Sequence, residues 1–336
     1  MADKEIGPEI IFVTGASRSG TTMLSRIIGN HEAVGWMREQ HYFGEQFHPQ
    51  GSPGLSTEQA RKAAAVIRSR FRDDLFRTQL NGEDFSFADA LLEQVAPQSL
   101  NGFSLFLHAT KALVREQGET IPCEQTPRNI LYTEQLLEQY PRAQFVHIVR
   151  DPRAVLSSQK SRWKLRANGN SRITWFESLR TRANYHPFTI AKLWNEANTR
   201  ALSLKDHPRV HLVSYEALLE EPEVTIAQLC DQMGLTYNEE MLNIPHWGSS
   251  HSDVDDNQRG ITRKANNHWQ DGLTAGEVAS IEKRCKEVMQ AFGYEAHSQN
   301  APFTWRQYLT FPIHLLAVLG VNPGRALTHL RALTGR

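Results

Sequence analysis

Cysteine is scarce in this chain: Cys123, Cys230 and Cys285 are the only three in 336 residues. They are far apart, with no CxxC pair and no histidine-rich companion, which argues against a disulfide framework and against zinc-type ligation. Net charge is lacking as well, since 37 Lys+Arg balance 37 Asp+Glu. Nothing global therefore points to nucleic acid. No run approaches the ~18 apolar residues of a membrane-spanning helix. The polar opening Met1-Ala2-Asp3-Lys4-Glu5 leads within a few residues into an apolar run and leaves no room for a signal peptide, so a soluble cytoplasmic protein is expected. From Pro302 to Arg336 there is no acidic residue. The length suffices for one large α/β domain or two smaller ones.

What is present organises around Gly15-Ala16-Ser17-Arg18-Ser19-Gly20-Thr21-Thr22, set between the apolar run Ile10 to Thr14 and the helical pattern Met23, Leu24, Ile27, Ile28. A buried strand, a glycine loop and a helix opening on threonine converge backbone N–H groups and a positive helix end on one point, as a phosphate requires. The spacing nearly matches the P-loop GxxxxGK[ST], but Thr21 occupies the lysine position. Without that lysine the loop is poorly equipped for ATP or GTP. Its cation is Arg18, whose planar fork suits a phosphate and a transferring group together.

GASRSGTT resembles the 5′-phosphosulfate loop of the sulfotransferases that use 3′-phosphoadenosine 5′-phosphosulfate, PAPS. The resemblance implies an α/β fold with a P-loop-like parallel sheet flanked by helices, and a donor 5′-phosphate held by Ser17, Arg18, Ser19, Gly20, Thr21 and Thr22. In the tyrosylprotein and glycan branches a glutamate after the second short strand takes the acceptor proton; Glu39 is the matching position, with His41 and Glu45 as rival bases. Glu124-Gln125-Thr126-Pro127-Arg128-Asn129 resembles the family's Glu-Lys-Thr-Pro-x-Asn element, except that Gln125 stands where its lysine reaches the transferring sulfate. That role moves to Arg18, with Arg128 or Lys111 as further candidates.

Gln144 to Val149 reads as a buried parallel strand, left through Arg150-Asp151-Pro152-Arg153, where a helix starts at the strand's carboxyl end. Ser158 follows Arg150 by roughly two helical turns. This pattern resembles the family's 3′-phosphate element, Arg150 with Ser158. His147, inside the apolar strand, reads as a core histidine. Ser214-Tyr215-Glu216-Ala217-Leu218 resembles the segment whose tyrosine contacts adenine, which assigns Tyr215. Arg263-Lys264-Ala265 with Trp269 resembles the loop that closes over PAPS, so Arg263 and Lys264 join the 3′-phosphate set. The resemblance runs over most of Ile10 to Tyr294. No metal is implied, because the donor lacks the β–γ triphosphate charge that calls for magnesium.

Around this core, residues 50–101 read as a helical insertion, with helices over Thr57 to Leu80 and Phe85 to Val95. The arginines at 61, 68, 70, 72 and 77 read as a solvated helix face. Helices are also expected near Pro187 to Leu204, Val224 to Met233 and Thr274 to Phe292. Bases and aromatics interleave between Gln159 and Tyr185, a pattern suited to a sulfated, phosphorylated or aromatic acceptor; the balanced charge disfavours nucleic acid.

The resulting division is a sulfotransferase-like α/β domain over 1–299 and a basic amphipathic C-terminal extension over 300–336, read as a pair of short helices. The extension is expected to pack on its own domain, the alternatives being a peripheral membrane contact or a homo-oligomer. The function implied is sulfuryl transfer from PAPS to an acceptor hydroxyl on a sugar, lipid head group, tyrosine or small metabolite, leaving PAP. Two alternatives remain open: a kinase with a degenerate P-loop, for which Asp255-Asp256 is the nearest aspartate pair, and a non-catalytic PAP- or nucleotide-binding protein.

Overall fold

The computed structural model describes residues 7–51, 54–73, 79–95, 100–165, 174–245, 259–261, 269–297 and 305–322. In chain order its elements are β1 (Ile11–Gly15), α1 (Thr21–Ile28), β2 (Val34–Trp36), α2 (Tyr42–Glu45), α3 (Thr57–Arg72), α4 (Gly82–Gln94), α5 (Gly102–Arg115), β3 (Ile121–Glu124), α6 (Thr133–Gln139) and β4 (Gln144–Val149). They continue as α7 (Pro152–Ser161), α8 (Trp175–Ala183), α9 (Pro187–Ser203), β5 (Val210–Ser214), α10 (Tyr215–Glu220), α11 (Pro222–Met233), α12 (Trp269–Gly272), α13 (Ala275–Ala291) and α14 (Trp305–Val321).

The five strands make one parallel sheet in the order β2-β3-β1-β4-β5. Every residue of β1 is buried. Ile10 and Phe12 enter one core cluster with Met37, Phe106 and Phe145, while Ile11 and Val13 enter a second with Leu24, Ile27 and Ile28. Both faces are covered, which is why the strand reads as an unbroken apolar run rather than an alternation. With β3 on one side of β1 and β4 on the other, strand order reverses at β1. Open α/β sheets bind ligands outside the carboxyl ends of their strands at such a reversal.

Two expectations are corrected locally. Helix α3 stops at Arg72, and Gln79 and Leu80 lie outside any helix. Its arginines do not form an open basic face: Arg61 bonds Asp89 at 2.5 Å, Arg68 pairs with Glu116, Arg70 bonds Glu45 at 3.2 Å and Arg72 bonds the fully buried Asp84 at 2.7 Å. Arg77 lies outside the described residues. Gly29, the C-cap of α1, has right-handed dihedrals, φ −72°. Glycine is needed there for room, since a Cβ would stand 2.5 Å from Trp36 Cβ.

The chain falls into two compact units, drawn from Met1–Val149, Arg200–Ile244 and Arg259–Arg263 and from Arg150–Thr199, Pro245–Gln258 and Lys264–Arg336. The first holds the whole sheet. Within the second, the Arg153 guanidinium, stacked over the Trp269 ring at 4.6 Å, joins Asp151 at 2.7 Å and Glu282 at 2.8 Å. In the C-terminal extension the described part is a single helix, α14, which continues through Pro312 rather than breaking there. No helix of the described residues is long and apolar enough to cross a membrane.

Candidate active site

Strand β1 delivers its last residue, Gly15, to a tight loop closed by Ser19 N donating to Ala16 O at 3.0 Å. Arg18 takes a left-handed φ of 77° inside it, a conformation that costs a non-glycine residue free energy and is found where function requires it. Gly20, also left-handed with φ 100°, forms the N-cap of α1 and lies against the Tyr215 ring, so close that a Cβ would stand 2.6 Å from Cδ2. No side chain caps α1 and its first turn holds no acidic residue, which leaves the positive helix end to an anion. The Ser19 hydroxyl is fully buried and has no hydrogen-bond partner among the described residues. A buried hydroxyl without a protein partner is the state a phosphoryl oxygen would satisfy. Thr21 is buried, Thr22 half-buried and Ser17 exposed.

Beyond β2 the chain is pinned to the end of β3. Met37 N donates to Cys123 O at 2.9 Å; Gln40 N donates to both Glu124 Oε1 and Thr126 Oγ1 at 3.0 Å, and His41 N to Thr126 Oγ1 at 3.0 Å. The Glu124 carboxylate also accepts from Thr126 N at 3.0 Å, from the Thr126 hydroxyl, and from Asn129 Nδ2 at 2.6 Å. Burial pushes the Glu124 pKa up, against these donors, which favour its charged form. This cluster forces His41 into a left-handed turn, φ 45°, and brings its Nε2 to 2.7 Å from Glu39 Oε2. A carboxylate only accepts, so Nε2 carries the proton. Glu39 is half-buried. Glu45 lies 3.8 Å from His41 Nδ1 and is bonded to Arg70 at 3.2 Å, so the candidate bases Glu39 and Glu45 flank the His41 ring.

The sequence signal for Glu124 was present but unused: a glutamate, a threonine and an asparagine spaced two and three apart at the end of an apolar strand. Gln125, between them, is buried, and its Oε1 has no hydrogen-bond partner among the described residues. Arg128 is exposed on the 3-10 turn Pro127–Tyr132, and Lys111 lies on α5. His147 is a fully buried core histidine bonded through Nδ1 to Thr14 Oγ1 at 3.0 Å. The three cysteines are buried too. Burial raises the Cys230 thiol to about 11 and the Cys285 thiol to about 12, and lifts Cys123 above the usual thiol range, so none is a thiolate nucleophile near neutral pH.

Arg150 and Ser158 belong to the second unit, Arg150 just before the α7 N-cap Asp151 and Ser158 in the second turn of α7. The Arg150 carbonyl accepts the Trp194 indole N–H at 3.0 Å. Arg263, Lys264 and Asp255-Asp256 lie outside the described residues. Among the described residues no group of three His, Cys, Asp or Glu side chains is placed to share a metal ion.

A family profile described as "Sulfotransferase family" matches residues 8–239. This chain belongs to the sulfotransferase family. Over 212 residues the chain is 27% identical to the omega-hydroxy-beta-dihydromenaquinone-9 sulfotransferase Stf3 of Mycobacterium bovis and of Mycobacterium tuberculosis, a match covering 62% of this chain and 50% of each relative. The chain thus spans about half the length of these curated relatives. A putative protein-tyrosine sulfotransferase of Caenorhabditis briggsae is 21% identical over 311 residues, covering 88% of this chain and 92% of that one. Among solved structures, the sulfotransferase domain from the curacin biosynthetic pathway aligns with a TM-score of 0.53 at 18% identity, over 86% of this chain and 98% of that domain. At that identity the likeness is one of fold, and it agrees with the expected parallel sheet flanked by helices.

Proposed function

We propose that this sulfotransferase moves the sulfuryl group of PAPS directly to an acceptor hydroxyl. In the proposed step the bond from sulfur to the donor's phosphate oxygen breaks as a bond to the acceptor oxygen forms. Glu39 receives the acceptor proton, His41 steadies the Glu39 carboxylate, and Arg18 offsets the charge gathering on the departing phosphate oxygen. The loop amides with Ser17, Ser19, Gly20, Thr21 and Thr22 are assigned to the 5′-phosphate. The observation that carries the reading is the buried, unpartnered Ser19 hydroxyl beside a helix N-terminus that no side chain caps. Contact with Gly20 supports Tyr215 as the residue beside the adenine. Arg150, Ser158, Arg263 and Lys264 are assigned to the 3′-phosphate on motif resemblance alone.

The names of the relatives point to a hydroxylated menaquinone and to protein tyrosine. These have a hydroxyl nucleophile in common, and the hydroxyl is the part of the acceptor proposed here. A non-catalytic PAP-binding reading draws on Gln125, whose carboxamide supplies no cation at the usual lysine position.

Titration calorimetry with PAP, AMP, ADP and ATP, with and without Mg²⁺, tests the donor. The expected result is metal-independent binding selective for PAP, followed by sulfate transfer from PAPS to at least one hydroxyl acceptor. Stabilisation by Mg-ATP alone would overturn the donor and favour the kinase reading. PAP binding without transfer to any acceptor class would leave the non-catalytic one.

A further inference from the structure

Helix α14 is only thinly buried. Its inner side mixes apolar and polar contacts: the Phe311 ring lies 5.1 Å from His186 and 5.5 Å from Phe188, Thr310 Oγ1 meets His186 Nε2 at 3.2 Å and His314 Nε2 meets Thr189 Oγ1 at 2.8 Å. His314 is the one buried residue on the helix. Burial lowers both imidazoles, His186 to about 4, so each is neutral near pH 7. The opposite face carries Trp305, Leu309, Pro312 and Leu316, spaced three and four apart, flanked by Ile313, Leu315 and Leu319. Leu309 is 64% exposed, Ile313 68% and Leu316 71%. A water-facing helix of a globular protein turns polar residues outward instead. Contiguous exposed apolar surface of this kind marks an interaction site.

Charge and neighbours indicate what covers it. From Pro302 to the last residue there is no Asp or Glu, while Arg306, Arg325, Arg331 and Arg336 are present. Two copies of this chain meeting through α14 would bring like charges together; an anionic surface would neutralise them. Helix α8 packs on α14 within the same unit, tied by Asn322 Nδ2 donating to Asn184 Oδ1 at 2.9 Å. It too exposes large rings, Trp175 and Phe176, with Leu179. Tryptophan beside arginine suits the headgroup level of a bilayer, where an apolar ring face and a polar edge are both satisfied. At roughly 1.5 Å per residue the helix is about 25 Å long, short of the ~30 Å hydrocarbon core, so it suits lying in the interface rather than spanning it.

We propose that the outward face of α14 docks this sulfotransferase on an anionic lipid bilayer. Leu309, Ile313, Leu316 and Leu319 enter the acyl boundary, Trp305 sits among the headgroups, and Arg306 meets lipid phosphates. The docking stands independently of the donor and acceptor chemistry proposed above.

Co-sedimentation of the full chain with vesicles of equal parts phosphatidylcholine and phosphatidylglycerol, and with pure phosphatidylcholine, reads this directly. Binding to the mixed vesicles is expected to be at least about tenfold tighter than to the neutral ones. The triple variant Leu309→Glu/Ile313→Glu/Leu316→Glu, changed only at exposed positions, is expected to keep its unfolding midpoint and lose vesicle binding on the order of a hundredfold. Failure of the wild type to bind the mixed vesicles, or equal binding by the triple variant, would overturn the proposal. So would a lipid-free dimer, seen by light scattering, that the triple variant splits, since the face would then belong to a second copy.

Discussion

The carboxyl edge of the sheet and helix α14 leave opposite things unsatisfied. At the sheet edge Gln40, Glu124, Thr126 and Asn129 are buried in a mutual network, and the side-chain atoms left without a partner among the described residues are polar: Ser19 Oγ, Gln40 Oε1, Gln125 Oε1 and Asn129 Oδ1. On α14 the exposed Thr310 and the buried His314 find protein partners, and the large exposed side chains left over are apolar. A native chain rarely tolerates either kind of loose end, because a buried polar group without a partner and an exposed apolar patch both cost free energy. What is unsatisfied describes the partner sought: the Ser19 hydroxyl can donate to the proposed phosphate, the buried amide oxygens call for a donor, and the apolar face of α14 suits a hydrocarbon surface.

The largest effect expected at the sheet edge is chemical. Glu39→Gln should lower transfer by about a hundredfold to ten-thousandfold, with PAP affinity and unfolding midpoint unchanged. Steady-state rates beside PAP calorimetry measure it, and an undiminished rate would remove Glu39 as base. Thr126→Val should act on structure and rate together. It strips the acceptor from His41 N and a donor from Glu124, costing roughly 1–3 kcal/mol in urea unfolding and lowering kcat about tenfold by loosening the Glu39–His41 pair. Thr126→Ser should restore both, and normal stability in the valine variant would show that the network does not hold this segment.

The smallest effect belongs to a buried cluster that is satisfied entirely by protein. Burial pushes Glu277 up, but Lys160 at 2.7 Å, the Thr274 amide at 2.8 Å and the Tyr185 hydroxyl at 2.7 Å outweigh it and hold its pKa below the usual carboxylate value of 4.5. Its stabilisation is thus present above that unfolded value and lost as pH falls through the lower folded one. Lys160→Met should remove roughly 0.5–1 kcal/mol at neutral pH and less in acid, leaving transfer untouched. Thermal midpoints across an acid titration would show the narrowed difference, and a changed rate would place this cluster closer to the chemistry than its contacts imply.

The strand, loop and first helix were legible because their cues are local: an unbroken apolar run, glycines at the turn and a 3.6-residue period. Helices α9, α11 and α13 were found within a residue or two for the same reason. The Glu124 network was not legible, since Gln40 and its acceptors are 84 and 86 residues apart and no local pattern announces that pairing. The arginines of α3 misled because a charged helix face looks the same whether its carboxylate partners lie 28 residues on, as for Arg61, or 48, as for Arg68. For α14 a helix in a basic amphipathic extension was legible, but its orientation was not. Orientation depends on Thr189 and His186, more than a hundred residues upstream.

The place of β1 at the centre of a parallel sheet also governs when the protein can fold. Thr14 meets His147 across the β1–β4 pair, 133 residues apart in the chain. A growing chain therefore carries the loop after β1 with a neighbouring strand on one side only, β3, until β4 has been synthesised, while the α3–α4 hairpin, made of near-neighbour contacts, can assemble earlier. The loop acquires its final shape only when a strand more than a hundred residues further along the chain is in place.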